Sequence, residues 1–233
     1  LILSGEVAAG EKLPSERELA KTMGVSRPVV HEGLLELEAR GLITMKPRSG
    51  AVVNDYRVDG SLSMLSTLLS HNKGALAPSL LDSMFDMRLL FELETARLAA
   101  EHRTAEQLAA LRAALKAEEE AVREDVATTT LLYFRFHHLI ALASGNLLYP
   151  LLPNSFRRLY ITITSLSFVD HEFLPLIYAS HRSIAGAMED KKPAAAADAM
   201  RDLITRGQDH LREVLEREEL EVPGVESRRM GPH

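Results

Sequence analysis

Apolar positions in the first 56 residues recur in two registers. Leu19, Ala20 and Met23, and again Val30, Leu34 and Leu37, fall three and four residues apart, the spacing of one buried helix face. Pro14 and Ser15 open the first of these helices, with Glu18 at capping-box distance, and Gly24 closes it. The second runs from Arg27 to Arg40, with Ser26 as the expected cap, Pro28 in its first turn and Gly41 where a helix should stop. "LITM" and "AVVN" then flank the turn-forming "KPRSG", which predicts a small β-hairpin. Two short helices around a glycine-containing turn, followed by a hairpin, make a winged helix-turn-helix.

"DYRVDGS" (55–61) is polar and reads as a linker. Everything after it has helical periodicity. The expected helices are Ser61–Asn72, Ser79–His102, one capped by Thr104 and Gln107 with Leu108, Leu111 and Leu115 on one face, and Thr128–Ala143. Pro150 and Pro153 place the start of the next near Asn154, although the β-branched "YITITS" is a poor helix former. Two more span Glu172–Asp190 and Pro193–Leu220. The chain is thus expected to be mainly α. A winged helix-turn-helix covers 1–56, a linker 57–60, an all-helical bundle of six or seven helices 61–220, and a frayed tail 221–233.

Composition narrows the chemistry. There is no cysteine, which excludes disulfides and thiolate metal sites and fits a reducing cytoplasm. No run of 18 apolar residues is present, so no membrane partner is expected. Net charge is −6, of which residues 1–56 carry −1. Any nucleic-acid contact must therefore come from positive charge gathered on one face. Arg27 marks that face. A cation at the positive end of a helix dipole opposes the usual preference. It makes sense if it is aimed at a phosphate or a guanine edge, as the N-terminal residues of a recognition helix are. Arg17, Lys46 and Arg48 could complete a basic strip; a solvated surface arginine is the plain alternative. Enzyme chemistry has little to stand on. "HEGLL" and "HEFLP" lack the second histidine of HExxH, and no G-x-S-x-G or phosphate-cradling glycine loop occurs.

"LPSERELAKTMGVSRPVVHEGLLELEARGLITMKPRSGAVV" resembles the winged helix of the GntR family of bacterial transcription regulators. "MRLLFELETARLAA", "FHHLIALASGN" and "HRSIAGAMEDKKPAAAADAMRDLI" resemble the FCD effector domain of its FadR subgroup. The resemblance implies a cytoplasmic homodimer on a double-stranded, pseudo-palindromic DNA operator, with a small-molecule effector changing operator affinity. It also implies that Leu1 lies inside a first helix that is cut short. It assigns DNA contact to Arg17, Ser26, Arg27, Pro28 and His31, and to the wing residues Lys46, Arg48, Ser49 and Gly50. Many relatives have arginine at the position of His31. It assigns effector contact to Arg88, Tyr133, His137, Tyr160 and His181. Metal-binding FCD domains use one aspartate and three histidines, but here Tyr133 and Leu203 occupy two of those four positions. With that set incomplete, a divalent metal is not expected. Two effector classes stay open, an organic acid and an acyl-CoA. So do the plain alternatives: an Arg88–Glu92 pair at i, i+4, and His137 and His181 as core histidines.

Overall fold

A computed structural model describes residues 1–46, 50–61, 64, 78–121 and 125–217. The expected helix over 61–72 and tail over 221–233 lie outside these, apart from Ser61 and Met64. The chain divides into two compact units, Leu1–Gly74 and Ala75–His233.

In the first unit, α1 (Glu16–Met23) starts at a complete capping box, with the Ser15 hydroxyl accepting from the Glu18 N–H and the Glu18 carboxylate accepting from the Ser15 N–H. Gly24 ends it in the left-handed conformation, φ 69°. α2 (Arg27–Ala39) begins with Ser26 in extended backbone and Pro28 in its first turn. β1 (Ile43–Lys46) and β2 (Gly50–Val53) pair antiparallel, Ile43 opposite Val53. Residues 10–13 lie along the other edge of β2, where the Leu13 N–H donates to Ala51 O at 2.9 Å and the Val53 N–H to Glu11 O at 2.9 Å. Ala20, Val30, Leu34, Leu42, Ile43, Ala51 and Val53 form the core, so one helical stripe and one face of the hairpin share it. Burying each large aliphatic contributes roughly 1.5–3 kcal/mol relative to exposure.

The stretch read as a linker contains one helical turn, α3 (Tyr56–Asp59), capped by the Asp55 carboxylate. It sits against the end of α2. Gly41, at φ 79°, lies so close to Asp59 that a Cβ there would be 2.2 Å from its carbonyl oxygen. Only glycine satisfies both conditions.

Among the described residues, the second unit holds seven α-helices. They are α4 (Pro78–His102), α5 (Ala105–Glu120), α6 (Val126–Ala143), α7 (Leu151–Ser155), α8 (Arg157–Ser167), α9 (Leu174–Glu189) and α10 (Pro193–Arg217). Thr104 and Gln107 form the expected capping box on α5. α6 packs against α4, α5 and α8, and α10 against α4, α8 and α9. α6 is correspondingly buried on most sides, through Tyr133, Phe134, Phe136, His137 and Ile140.

Two boundaries differ from expectation. The helix expected near Asn154 is two helices: α7 starts at Leu151, because Pro153 is tolerated in its first turn, and the non-helical backbone of Phe156 separates it from α8. The β-branched "YITITS" is helical in α8, whose Leu159, Tyr160, Ile163 and Thr164 are buried; packing outweighs propensity there. The helix expected from Glu172 opens as a 3-10 turn, His171–Phe173, before α9.

Candidate DNA face and candidate effector site

In the first unit an open groove of about 700 Å³ lies between the start of α1, the start of α2 and the hairpin. Arg17, Arg27, Lys46 and Gly50 line it together, with Glu16 among them. The first turn of α2 carries no acidic residue, and its N-cap makes no side-chain bond. This corrects the expectation that the Ser26 hydroxyl caps the helix. The first turn of α2 therefore adds no negative charge of its own to the positive end of the helix dipole, which suits an anion. Pro28 and His31 are exposed on the same helix. Glu16 Oε1 lies 2.8 Å from His31 Nδ1, and Glu16 Oε2 lies 3.6 Å from Arg27 Nη2. The His31 hydrogen bond holds the Glu16 carboxyl below the usual carboxylate range. Arg48 and Ser49 lie outside the described residues. Two of the acidic residues of α2 are engaged within the unit: Glu36 pairs with Arg40, and Glu38 accepts the Met45 N–H at 2.6 Å.

In the second unit, all five residues expected to contact an effector converge in the core. Arg88 on α4 is 5% exposed. Its Nε donates to Glu92 Oε1 at 2.7 Å, and its Nη2 donates to the hydroxyls of Tyr133 and Tyr160, both at 2.9 Å. Its guanidinium also sits 4.4 Å from the centre of the Tyr160 ring. Burial works against the charge on Arg88, but Glu92 and the two tyrosines outweigh it and raise its pKa well above the ordinary value. Burial likewise raises the Glu92 carboxyl, yet Arg88 and His137 prevail and hold it at about 2. Both tyrosines are shifted upward, chiefly by burial, and stay neutral.

The polar chain continues through α6 and α9. Glu92 Oε2 is 2.5 Å from His137 Nδ1, a close contact whose alignment is not that of a hydrogen bond, so each atom is buried without a hydrogen-bond partner. His137 Nε2 meets His181 Nε2 at 3.3 Å, and His181 Nδ1 meets the Glu118 carboxylate at 2.9 Å. Burial pushes His137 down to about 4, against the pull of Glu92. Beside Arg88 is a cavity of about 20 Å³, lined by residues of α4, α6, α8, α9 and α10, by Phe168, and by Phe173 of the 3-10 turn. The Thr164 hydroxyl belongs to that lining and is buried without a partner.

Residues 1–53 match the family described as bacterial regulatory proteins, gntR family, and residues 83–206 match the FCD domain. The chain belongs to the GntR family and carries an FCD domain. Relatives of this GntR-family regulator include the HTH-type transcriptional regulator Mce2R of Mycobacterium tuberculosis, 31% identical over 92% of this chain and 88% of that protein. The HTH-type transcriptional regulator LutR of Bacillus subtilis is 31% identical over 91% of this chain and 96% of its own length. Among solved structures, a Streptococcus agalactiae GntR covers 89% of this chain and 93% of its own, with 28% identity and a TM-score of 0.52. These are regulators, so the family does not place an enzyme in the helical unit.

The residues of this GntR-family regulator do not fit the metal set of some FCD domains. Tyr133 stands at the aspartate position with its hydroxyl held by Arg88, and Leu203 fills a histidine position within the apolar core. His137 and His181 turn toward each other. Among the described residues, no three histidine or carboxylate side chains gather as a metal would need. The plain alternatives considered from sequence are present too, since Arg88 does pair with Glu92 and both histidines are core residues with carboxylate neighbours.

Sequence reasoning missed Glu118 and Thr164. Glu118 hid in the charged run "KAEEEAV", although it continues the buried stripe of Leu108, Leu111 and Ala114 on α5. That seven-residue step from Leu111 was the available signal. Thr164 had none beyond its place in α8.

Proposed function

We propose that the chain acts as a cytoplasmic homodimer whose two winged helices grip the half-sites of a pseudo-palindromic operator. A small carboxylate held at Arg88 changes its operator affinity. The DNA part rests on the gathering of Arg17, Arg27, Lys46 and Gly50 around one groove at the bare N-terminus of α2. Ser26, Pro28 and His31 belong to the same face in this reading, and Arg48 and Ser49 contact the same DNA.

The observation that carries the effector part is Arg88. A buried guanidinium, beside an unpartnered Thr164 hydroxyl and a cavity, suits a charge-assisted hydrogen bond to a carboxylate. Tyr133 and Tyr160 orient the guanidinium, and His137 and His181 back Glu92 from behind. At about 20 Å³ the cavity has room for one water, so a ligand enters as the surrounding side chains part. Because five helices line it, a bound anion biases how they pack, and a population shift follows. An acyl thioester is the weaker reading. The space beside Arg88 is closed by Phe85 and Phe168, and the open apolar groove of about 920 Å³ lies along other residues of α4, among them Leu90 and Phe91.

The test is a thermal-shift panel of small organic acids and acyl-CoAs, followed by gel shifts on operator DNA. A true ligand at about 100 times its Kd adds about 2.7 kcal/mol of stability. Arg27→Ala should lower operator affinity by about ten- to a hundredfold and keep the ligand response. Arg88→Lys, checked for folding, should keep operator binding and lose the ligand response. Stabilisation by acyl-CoAs alone, or a normal response in Arg88→Lys, overturns the carboxylate reading. Unchanged operator affinity in Arg27→Ala overturns the DNA face.

A further inference from the structure

We infer that Glu16 is a positioning residue for DNA recognition. It fixes the tautomer of His31 so that the ring offers a hydrogen-bond acceptor to the major groove, selecting an exocyclic amino group of adenine or cytosine. This rests on the reading of α2 as the recognition helix.

Glu16 Oε1 and His31 Nδ1 are 2.8 Å apart. An ionised carboxylate only accepts hydrogen bonds, so the proton in that contact belongs to Nδ1. A neutral imidazole has one such proton, which leaves Nε2 with a bare lone pair. His31 lies four residues after Arg27, one turn along the same face of α2, and its side chain is 49% exposed. An acceptor at that point meets its complement in adenine N6 or cytosine N4, and it opposes guanine O6 and N7. An arginine there would do the reverse, since it has donors only. The second Glu16 oxygen, 3.6 Å from Arg27 Nη2, draws that guanidinium toward the same spot. One carboxylate on α1 thereby holds two residues one turn apart on α2, Arg27 with its donors and His31 with the acceptor that the carboxylate imposes.

Two measurements test this on the full chain at pH 8, above the usual imidazole range. The first is the ¹⁵N spectrum of the imidazole assigned to His31. It should show the Nδ1–H tautomer in the wild type and lose that preference in Glu16→Ala. A wild-type ring protonated on Nε2 alone overturns the inference.

The second is selection of binding sites from a randomised duplex. In the wild type, one position of each half-site should favour adenine or cytosine on the contacted strand by about three- to tenfold. Glu16→Gln should flatten that position and leave the others, because an amide can either donate to or accept from Nδ1. His31→Arg should move it to guanine. The same preference in all three proteins overturns the role of Glu16. A wild type that enriches no sequence at all removes the DNA face itself, a distinct result from an intact motif that ignores Glu16 and His31.

Discussion

At the scale of single residues, the buried chain from Arg88 to Glu118 sets how this protein responds to acid and to substitution. His137 is held neutral down to about pH 4, below its ordinary value of 6.5. Between those values the unfolded chain binds a proton that the folded chain does not, so stability falls as pH falls. Glu92, at about 2 against an ordinary 4.5, adds a loss of the same sign over the lower window. The melting temperature should therefore decline from about pH 6.5 downward. His137→Asn should flatten the decline between about pH 6.5 and 4 while leaving the part below it. Circular dichroism is the suitable probe, because the chain has no tryptophan. A wild-type melting temperature that is constant from pH 7 to 5 contradicts the buried neutral histidine. Arg88→Ala is expected to cost about 3–5 kcal/mol in urea unfolding, since it strands the Glu92 carboxylate. The double variant Arg88→Met, Glu92→Leu should recover most of that, because it removes both buried charges.

At the scale of elements, local chemistry legible in the sequence matched the structure where the partners are close in the chain. Ser15 with Glu18 and Thr104 with Gln107 are capping boxes in both. Legibility failed where a distant partner decides. "YITITS" is helical because α8 buries one face, which no propensity reports. Glu118 is buried because His181, 63 residues later, meets it. Ser26 has the right type for a cap, yet its hydroxyl makes no capping bond. The candidate effector residues were found through family resemblance, while their hydrogen bonds to Glu92, His137 and Glu118 required coordinates. Gly41 combines both kinds of information. Its place after α2 marks a helix stop, but the approach of α3 is visible only in three dimensions. Gly41→Ala should cost more than about 2 kcal/mol, since a left-handed backbone alone costs about 1–2 kcal/mol and a Cβ would also meet Asp59 O at 2.2 Å. Gly10→Ala, with φ 85° and nothing near its Cβ, should show the conformational cost alone. Equal destabilisation in the two variants would mean that α3 yields freely.

At the scale of the whole molecule, a chain of net charge −6 that binds DNA must do so through a local field. Operator affinity should then fall steeply with salt. Removing one phosphate contact, as Lys46→Ala is proposed to do, should reduce the slope of log K against log salt by about 1. An arginine that reads a base edge, the role proposed for Arg27, should lower affinity with a smaller change in slope. The proposed coupling of the two units imposes a stronger condition. If a carboxylate at Arg88 changes operator affinity by some factor, operator DNA must change carboxylate affinity by the same factor. Calorimetric titration of the carboxylate into the free protein and into the protein–operator complex measures that factor from one side, and gel shifts with and without carboxylate measure it from the other. A factor of about 5–150 is typical of such coupling. Agreement between the two factors is required of one linked equilibrium. An effect on DNA binding with no reciprocal effect on carboxylate binding would mean that the carboxylate acts elsewhere, on the DNA face itself or through the medium, and that Arg88 is only part of the core.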